Sequence, residues 1–363
     1  MHIAIVTRNM DAGGAERVIA QLIKCWQETG ITCSLVSMHP AKSFYDLSAG
    51  VVHYEIPRQA GNAGVDKIKR YIQLRKLMKK HKPDVVLSLP EEIGIYVILA
   101  MLGTGIPVVV SERNNPWVMP DKKITRILRR LMYPFVDGLI FQTKQAASFF
   151  PAAQQKKGIL LPNPLDLSRL PDVYQGEREK TVVSAGRLAA QKNFPLLIEA
   201  FARFRENHPD YKLVIYGEGS KRQELEAFAS EKLPEGSWSM PGRVDDVPDR
   251  IGKCGIFALS SDFEGVPNVL IEAMAVGTPC VSTDCAPGGA AELIENGKNG
   301  LIVPVGDTEA LAEGLTYMAD HPVEAAAMAE EGVKIRERLD AGKVADNWLQ
   351  YLELCAGGKK DGQ

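Results

Sequence analysis

Apolar and polar positions alternate along the chain at two spacings. Short apolar runs predict buried strands, and segments whose apolar residues recur every three or four positions predict helices. The predicted elements of the first half are strands 2–7, 32–37, 51–55, 84–88, 108–111 and 137–142, and helices 15–26, 65–81, 93–102 and 122–132. This alternation predicts a parallel sheet with crossover helices, and therefore the α/β class.

The second half repeats the pattern after a boundary rich in proline and polar residues at 161–180. Its predicted elements are strands 181–185, 212–216, 238–241, 255–260, 279–283 and one near Val303, a turn at 245–251, and helices 195–207, 221–232, 307–320, 323–338 and 346–355. Residues 99–112 and 271–284 also resemble each other, since both combine a helix, a glycine turn, a proline and a strand. Two similar α/β halves that face one another would leave a cleft suited to two substrates.

Residues 262–277 join a predicted strand to a predicted helix and carry two carboxylates. Pro267 suits the first turn of a helix and Gly277 suits its end, so Glu264 falls in the loop and Glu272 inside the helix. The helix N-terminus favours an anion, and carboxylates accept hydrogen bonds from hydroxyl groups. This combination suggests a nucleotide-sugar. The alternative is an acidic surface loop with an exposed helix glutamate.

Charge is divided unevenly between the two halves. Residues 1–165 hold 22 Lys and Arg against 12 Asp and Glu, a balance of +10. Residues 166–363 hold 21 against 33, a balance of −12, so the net charge is only −2. This asymmetry indicates that the two halves present different surfaces to different partners.

The remaining composition predicts a soluble, cytoplasmic protein. The six cysteines include no C-x-x-C pair, which indicates reduced thiols. The first residues are typical of a strand and not of a signal peptide. The uncharged run 93–111 is 19 residues long, but a glycine- and proline-containing turn at 103–107 divides it into a helix and a strand. We therefore expect no membrane span.

Glycine turns follow several predicted strands and are candidate ligand sites. A Gly-Gly pair lies at 13–14, a Gly-Arg pair at 186–187 is followed by Lys192, and Gly-Glu-Gly lies at 217–219. Such turns let the backbone approach a ligand closely. None of them is G-x-G-x-x-G, so a nicotinamide-dependent oxidoreductase is not expected.

In combination, the Gly-Arg pair, Lys192 and the two glutamates at 264 and 272 resemble the retaining GT-B glycosyltransferases of nucleotide-sugar family 4. The Asp-Ala-Gly-Gly-Ala-Glu segment at 11–16 is similar to the acceptor-side glycine loop of that family. The resemblance covers nearly the whole chain. It implies a GT-B fold, with two Rossmann-like parallel-sheet domains facing each other across a cleft.

The resemblance also implies how the domains divide the work. Residues 1–163 would bind the acceptor, together with a crossover helix at about 340–356, and residues 166–335 would bind the donor. The implied donor-binding residues are Gly13, Gly14, Gly186, Glu218, Arg243, Val244, Gly265, Pro267, Asn268, Val269, Leu270 and Glu272. The implied acceptor-side residues are Glu16, Glu112, Arg113 and Asn114.

Three residues carry the implied chemistry. Arg187 and Lys192 would neutralise the departing nucleoside diphosphate, because negative charge develops on that group in the transition state. Glu264 would hold hydroxyl groups of the transferred sugar and support its cationic ring face. Among the donor-binding residues, Glu272 would accept both ribose hydroxyls.

Glu112 marks a departure from the family pattern. Many relatives carry a histidine after the corresponding strand, where this chain has Ser-Glu-Arg at 111–113. Two readings are open: the Glu112 side chain orients the acceptor hydroxyl, or it only packs.

The resemblance implies transfer of a hexose or N-acetylhexosamine, with retention of configuration, from a nucleoside-diphosphate sugar to a glycan acceptor. A UDP-sugar is the favoured donor. The reaction would belong to cell-surface polysaccharide or oligosaccharide assembly of bacterial type. The sequence has no Asp-x-Asp and no cluster with metal-ligand spacing, so we expect neither a metal nor a cofactor. Arg187, Lys192 and helix dipoles would supply the positive charge instead. The alternative is a non-catalytic GT-B-fold scaffold subunit, and the intact set of charged residues argues against it.

Two predicted helices combine cations with apolar residues. Helix 65–81 has seven Lys and Arg, and helix 122–132 has five. Basic amphipathic helices are typical of contact with an anionic membrane, although a solvated crossover-helix face has the same pattern. The first interpretation predicts a peripheral enzyme at the inner face of the membrane, acting on a polyprenyl-diphosphate-linked acceptor. No nucleic-acid-binding motif is present, so no nucleic acid partner is expected.

Overall fold

The chain forms two compact units in a computed structural model that describes residues 1–11, 13–39, 43–45, 47, 50–58 and 61–358. Unit 1 consists of Met1–Pro164 with Ala341–Gln363, and unit 2 consists of Leu165–Asp340. The assignment of acceptor binding to the first unit and donor binding to the second stays a prediction.

The sheet of unit 1 has seven strands, all paired in parallel. The strands are β1 His2–Thr7, β2 Thr32–Ser37, β3 Val52–Glu55, β4 Val85–Ser88, β5 Val108–Ser111, β6 Gly138–Phe141 and β7 Gly158–Leu160. Their order in the sheet is β3-β2-β1-β4-β5-β6-β7. The predicted parallel sheet is therefore confirmed. The short strand β7 was not predicted.

Helices cover both faces of this sheet. They are α1 Gly14–Glu28, α2 Ala63–His81, α3 Glu91–Met101, α4 Lys123–Met132, α5 Lys144–Ser148 and α6 Ala152–Gln155. In β1, Ile3 and Ile5 belong to one apolar core cluster, whereas Ala4 and Val6 belong to the cluster on the opposite face. Because alternate residues of a strand point to opposite faces, a strand covered on both sides is apolar throughout.

Unit 2 contains a second parallel sheet, of six strands. The strands are β8 Glu179–Ala185, β9 Lys212–Tyr216, β10 Trp238–Gly242, β11 Cys254–Leu259, β12 Cys280–Thr283 and β13 Leu301–Val303. Their order is β10-β9-β8-β11-β12-β13, which makes β8 and β11 neighbours.

The helices of unit 2 differ from the predicted set at two places. They are α7 Phe194–Asn207, α8 Arg222–Lys232, α9 Val247–Lys253, α10 Asn268–Ala275, α11 Thr308–Asp320, α12 Pro322–Val333 and α13 Ile335–Arg338. The turn predicted at 245–251 is wrong, because Pro248 lies in the first turn of a helix, where its missing N–H costs no hydrogen bond. The single helix predicted at 323–338 is divided at Lys334, whose N–H donates to the Glu331 carbonyl three residues back.

The last helix, α14 Ala341–Gly357, belongs to unit 1 although it follows unit 2 in the chain. Trp348 is fully buried on it, and its indole N–H donates to the Pro162 carbonyl at 3.2 Å. The indole N–H of Trp26 on α1 donates to the Ala345 carbonyl at 2.9 Å. These contacts attach the helix to the core of unit 1.

Within the described ranges, no helix is long and apolar enough to cross a membrane.

Candidate active site

Two loops of unit 2 meet at the carboxyl edge of its sheet. One follows β8 and the other follows β11, and neighbouring parallel strands bring such loops together at the edge where α/β sheets bind ligands. The Asp262 N–H donates to the Gln191 carbonyl at 2.9 Å, and the Asn193 side-chain amide donates to the Asp262 carboxylate at 2.7 Å. The Ser260 hydroxyl donates to the Lys192 carbonyl at 2.9 Å. The two loops therefore form one connected surface.

Lys192 and Glu264 are in direct contact on this surface. The Lys192 Nζ lies 2.5 Å from the Glu264 Oε1, and the two side chains are only 15% and 13% exposed. The Ser261 hydroxyl donates to the same carboxylate oxygen at 3.2 Å. The structure thus brings together a cation and a carboxylate that lie 72 positions apart in the chain.

Arg187 lies in the same loop as Lys192 but is not part of this pair. Its side chain is exposed, and its guanidinium forms no hydrogen bond or ion pair with any residue in the described part of the chain. The structure therefore does not bring Arg187 into contact with Lys192 or Glu264. It leaves an unpaired cation in the loop next to the pair.

Glycines allow these loops to pack closely. A Cβ on Gly186 would lie 2.8 Å from a carbon of the Lys192 side chain. Gly217 has a φ of +147°, and a Cβ there would collide with the Gly186 carbonyl oxygen. A Cβ on Gly289 would collide with the carbonyl oxygen of Gly265, which precedes α10. The glycines thus act by removing side-chain volume around the Lys192–Glu264 pair.

The start of α10 places several predicted donor-binding residues. Pro267 precedes the first helical residue, Asn268, and the Leu270 N–H already donates to the Pro267 carbonyl at 3.1 Å. Leu270 therefore does not offer a free N–H to a ligand, while Asn268 and Val269 lie in the first turn, half-buried. Glu272 is 6% exposed, so the alternative of an exposed helix glutamate is wrong.

Three predicted donor-binding residues lie at the ends of β9 and β10. Glu218 is exposed and forms an ion pair with Arg222 at 2.5 Å. Arg243 is exposed, and Val244 packs against the core cluster of unit 2. The structure does not bring these residues into contact with Lys192 or Glu264.

The glycine loop of unit 1 lies between β1 and α1. Gly13 is the N-terminal cap of α1, and its carbonyl accepts hydrogen bonds from the Arg17 N–H and the Tyr45 hydroxyl. Gly14 is the first helical residue and Glu16 lies in the first turn. A helix N-terminus at the carboxyl end of the first strand is a suitable place for an anion.

Glu112 follows β5 and is buried at 1% exposure. The Tyr133 hydroxyl donates to its Oε1, and the Arg129 guanidinium lies 3.5 Å from its Oε2. Burial raises the pKa of Glu112, although the charge of Arg129 and the Tyr133 hydrogen bond oppose this shift. These contacts favour the reading in which Glu112 packs over the one in which it orients the acceptor.

Arg113 and Asn114 lie next to this cluster. The Arg113 guanidinium donates to Asn163, while its Nε and Nη1 atoms have no hydrogen-bond partner in the described structure. Burial lowers the pKa of Arg113 to about 10, and the nearby charges of Glu91 and Glu16 oppose the shift. The Asn114 side chain accepts a hydrogen bond from the Asn115 N–H at 2.8 Å.

Glu91, a buried acid in the same region, was not predicted from the sequence. It begins α3 after β4, it is 3% exposed, and one of its oxygens accepts a hydrogen bond from the Arg113 N–H at 3.3 Å. Burial and the neighbouring Glu112 raise its pKa to about 8. Its position three residues after a predicted strand was the signal that could have identified it, since Glu112 directly follows the next predicted strand.

Among the residues that the structure describes, no group of three or more His, Cys, Asp or Glu side chains is arranged to hold a metal ion.

Comparisons with known proteins agree with this architecture. The family described as "Glycosyltransferase Family 4" matches residues 12–169, and the family described as "Glycosyl transferases group 1" matches residues 172–335. A Campylobacter jejuni protein named GalNAc-alpha-(1->4)-GalNAc-alpha-(1->3)-diNAcBac-PP-undecaprenol alpha-1,4-N-acetyl-D-galactosaminyltransferase is 29% identical over 97% of this chain and 98% of its own.

Two further proteins are similar over the full length. The N-acetylgalactosamine-N,N'-diacetylbacillosaminyl-diphospho-undecaprenol 4-alpha-N-acetylgalactosaminyltransferase of the same organism is 29% identical over 96% of this chain and 99% of its own. Anabaena HepE, solved in complex with UDP and glucose, superposes with a TM-score of 0.81 over 97% of this chain and 99% of its own, at 17% identity. The two family matches together span both units, and the chain belongs to the GT-B glycosyltransferases of family 4.

Proposed function

We propose that this glycosyltransferase moves a hexose or N-acetylhexosamine, with retention of configuration, from a nucleoside-diphosphate sugar to a glycan carried on a polyprenyl diphosphate. The observation that carries the proposal is the contact between Lys192 and Glu264, with the cation Arg187 in the same loop as Lys192. Both Campylobacter relatives are named for acceptors linked to undecaprenol through a diphosphate. UDP is the preferred nucleotide in this proposal, because HepE was solved with UDP.

The chemistry requires positive charge at the departing diphosphate. As the bond between the sugar C1 and the diphosphate oxygen breaks, Arg187 and Lys192 stabilise the charge that develops on that oxygen. The acceptor oxygen bonds to C1 on the same face of the sugar, and its proton passes to the departing phosphate. Glu264 holds sugar hydroxyls and faces the cationic ring. Because Arg187, Lys192 and helix dipoles supply the positive charge at the diphosphate, the proposal includes no metal ion.

An enzymatic assay tests the proposal. Purified protein is incubated with UDP-hexoses and UDP-N-acetylhexosamines and with a synthetic glycan on a prenyl diphosphate, and products are identified by mass spectrometry. We expect sugar transfer to persist in the presence of EDTA. We also expect the anomeric coupling constant of the product, measured by NMR, to show that the configuration of the donor is retained. Absence of transfer with every donor would contradict the proposed reaction. Loss of activity in EDTA would contradict metal independence, and a product of inverted configuration would contradict retention.

Substitutions of the paired residues test their roles. We expect Lys192→Ala and Glu264→Gln each to lower kcat about 10²–10³-fold, since each removes charge that acts in the transition state. Lys253→Ala is the control, because this exposed lysine of α9 lies outside the two loops. Wild-type turnover in Lys192→Ala would refute the assigned role.

A further inference from the structure

A pocket in unit 1 lies outside the predicted site. Its volume is about 950 Å³, and the residues that follow β1, β2 and β3 line it together with the first turns of α2 and α3 and the segment before α4. The basic residues in its lining are Arg8, His39, Arg58, Lys67, Arg70 and Lys122. The carboxyl ends of parallel strands are the usual ligand-binding edge of such a sheet.

Arg70 forms a fixed part of the pocket wall. It is 7% exposed, its Nη2 donates to the Asp66 carboxylate at 2.7 Å, and its Nη1 donates to the Met38 carbonyl at 2.6 Å. These bonds attach α2 to the chain just after β2. The charge of Arg70 is matched by Asp66, so the excess charge of the pocket comes from its other cations.

Four of the lining cations have no acidic partner. Arg8, Arg58, Lys67 and Lys122 form no ion pair with any acidic side chain in the described ranges. The Lys67 Nζ instead lies 3.2 Å from the centre of the Tyr96 ring. The lining as a whole has five Lys and Arg against three Asp and Glu, a balance of +2.

Arg70 and two of the four unpaired cations lie close enough to His39 to affect its pKa. The pKa of His39 is lowered by burial and then by the charges of Arg70 and Arg8, it is raised in part by Asp66, and Lys67 lowers it to a smaller extent. His39 is therefore neutral near pH 7, and repulsion among the cations around it opposes their convergence. A multiply charged anion would relieve this repulsion and accept charge-assisted hydrogen bonds from several side chains at once.

We infer that this pocket binds the diphosphate of the prenyl-linked acceptor. The inference rests on the proposed function and names the acceptor's anionic group as the ligand. Every lining residue belongs to unit 1, whereas Arg187 and Lys192, the cations predicted to bind the donor diphosphate, belong to unit 2.

Exposed apolar side chains on the helices that line the pocket match the hydrocarbon chain of a prenyl diphosphate. Ile68 and Ile72 of α2 are 63% and 48% exposed, and Ile124 of α4 is 60% exposed. These exposed isoleucines lie on helices that also contribute residues to the cationic pocket. The combination suits an amphiphile with an anionic head and a hydrocarbon chain.

A binding experiment tests the inference without requiring activity. The variant is Arg8→Gln/Arg58→Gln, because both side chains are exposed and form no hydrogen bond within the described structure, so their removal leaves the fold intact. The charge-matched control is Lys156→Gln/Lys253→Gln, whose exposed lysines lie outside the pocket. Titration calorimetry on the full chain measures affinity for a short-chain prenyl diphosphate, inorganic diphosphate, UDP and phosphatidylglycerol vesicles.

We expect the variant to lose affinity for the prenyl diphosphate and inorganic diphosphate by about 10- to 100-fold, the effect of losing one or two charge-assisted hydrogen bonds. Its affinity for UDP and for the vesicles should match that of the control. Unchanged affinity for both diphosphates, or an equal loss of affinity for UDP or for the vesicles, would overturn the inference.

A kinetic experiment separates this inference from the proposed function. With a diphosphate-linked acceptor, we expect the variant to raise the acceptor KM about tenfold or more while kcat and the donor KM stay near wild type. With the same glycan on a neutral alkyl carrier, variant and wild type should be equal, and an equal rise in KM for both acceptors would refute the inference. If the wild type transfers sugar to no acceptor while the diphosphate affinities differ as expected, the proposed reaction fails and the pocket assignment stands.

Discussion

Glu91 gives unit 1 a pH dependence that can be derived from its surroundings. Burial and the neighbouring Glu112 raise its pKa from the usual 4.5 to about 8. Between these two values the folded protein keeps the proton and the unfolded chain releases it, so the unfolded state binds fewer protons. The free energy of unfolding therefore falls as pH rises through this window, by about 1.4 kcal/mol per pH unit.

The substitution Glu91→Gln should remove this dependence, because glutamine has the same shape and no proton to lose. We expect the melting temperature of the variant to exceed that of the wild type at pH 8.5, by about 2–4 °C for each kcal/mol regained, and the difference to vanish near pH 4.5. Glu28→Gln is the control, since Glu28 is exposed at the end of α1. If the melting temperatures of wild type and variant change equally with pH, Glu91 is ionised in the folded protein.

Residues of the candidate site could be predicted from sequence to unequal degrees. The family resemblance implied that Lys192 and Glu264 belong to one site, and they are in contact because each follows a strand and the two strands are neighbours in the sheet. The inward orientation of Arg129 and Arg70 did not follow: both were counted with outer basic faces, yet they are 3% and 7% exposed. The burial of Arg129 depends on Glu112, which belongs to another element, and helical periodicity does not show such a partner. Arg70 pairs with Asp66 four residues earlier on its own helix, but it also donates to the Met38 carbonyl after β2, which periodicity does not show either.

At the scale of elements, α14 packs in unit 1 although it follows the whole of unit 2 in the sequence. Trp348, 0% exposed, packs in the same core cluster as Trp26 and Leu35, and the Tyr351 hydroxyl accepts a hydrogen bond from the Leu139 N–H at 2.9 Å. The stability of unit 1 should therefore depend on a helix that lies some 180 residues beyond the rest of the unit in sequence.

The substitution Trp348→Ala should lower the free energy of unfolding by about 3–5 kcal/mol, because it removes a large buried side chain and leaves a cavity. Leu354→Ala on the same helix is the matched control, since Leu354 is 72% exposed and should change stability little. Urea denaturation followed by circular dichroism measures both. Equal effects of the two substitutions would show that α14 contributes little to the fold.

Element boundaries show where sequence patterns stop being informative. The parallel strands were predictable because strands buried on both faces are apolar at every position. The helix at 247–253 was not, because it is short and has in its first turn a proline, Pro248, that is equally typical of a turn. The break at Lys334 was not predicted either, although Gly332, a poor helix former, lies two residues before it.

At the scale of the molecule, the basic half of the chain presents an unusual helix. On α4, the side chains of Ile124, Ile127 and Leu131 are 60%, 55% and 56% exposed, while Arg129 is buried. These three apolar residues recur at helical spacing and form one outward stripe, flanked by the exposed cations Lys123 and Arg130. An apolar stripe between cations matches an anionic membrane surface, which the balance of +10 in residues 1–165 also favours.

We therefore expect the protein to bind vesicles that contain phosphatidylglycerol and to dissociate as salt rises from 50 to about 500 mM, because screening weakens each cation's contribution of about 1 kcal/mol. Ile124→Ser/Ile127→Ser/Leu131→Ser should lower vesicle affinity about tenfold or more by removing the apolar contact. Val323→Ser/Leu354→Ser is the control, since these apolar residues are 77% and 72% exposed but lie outside α4. Vesicle co-sedimentation measures all three proteins. If the triple variant binds vesicles as well as the control does, the apolar stripe does not enter the membrane. If the wild type binds neutral vesicles and anionic vesicles with equal affinity, the cations do not contribute to binding.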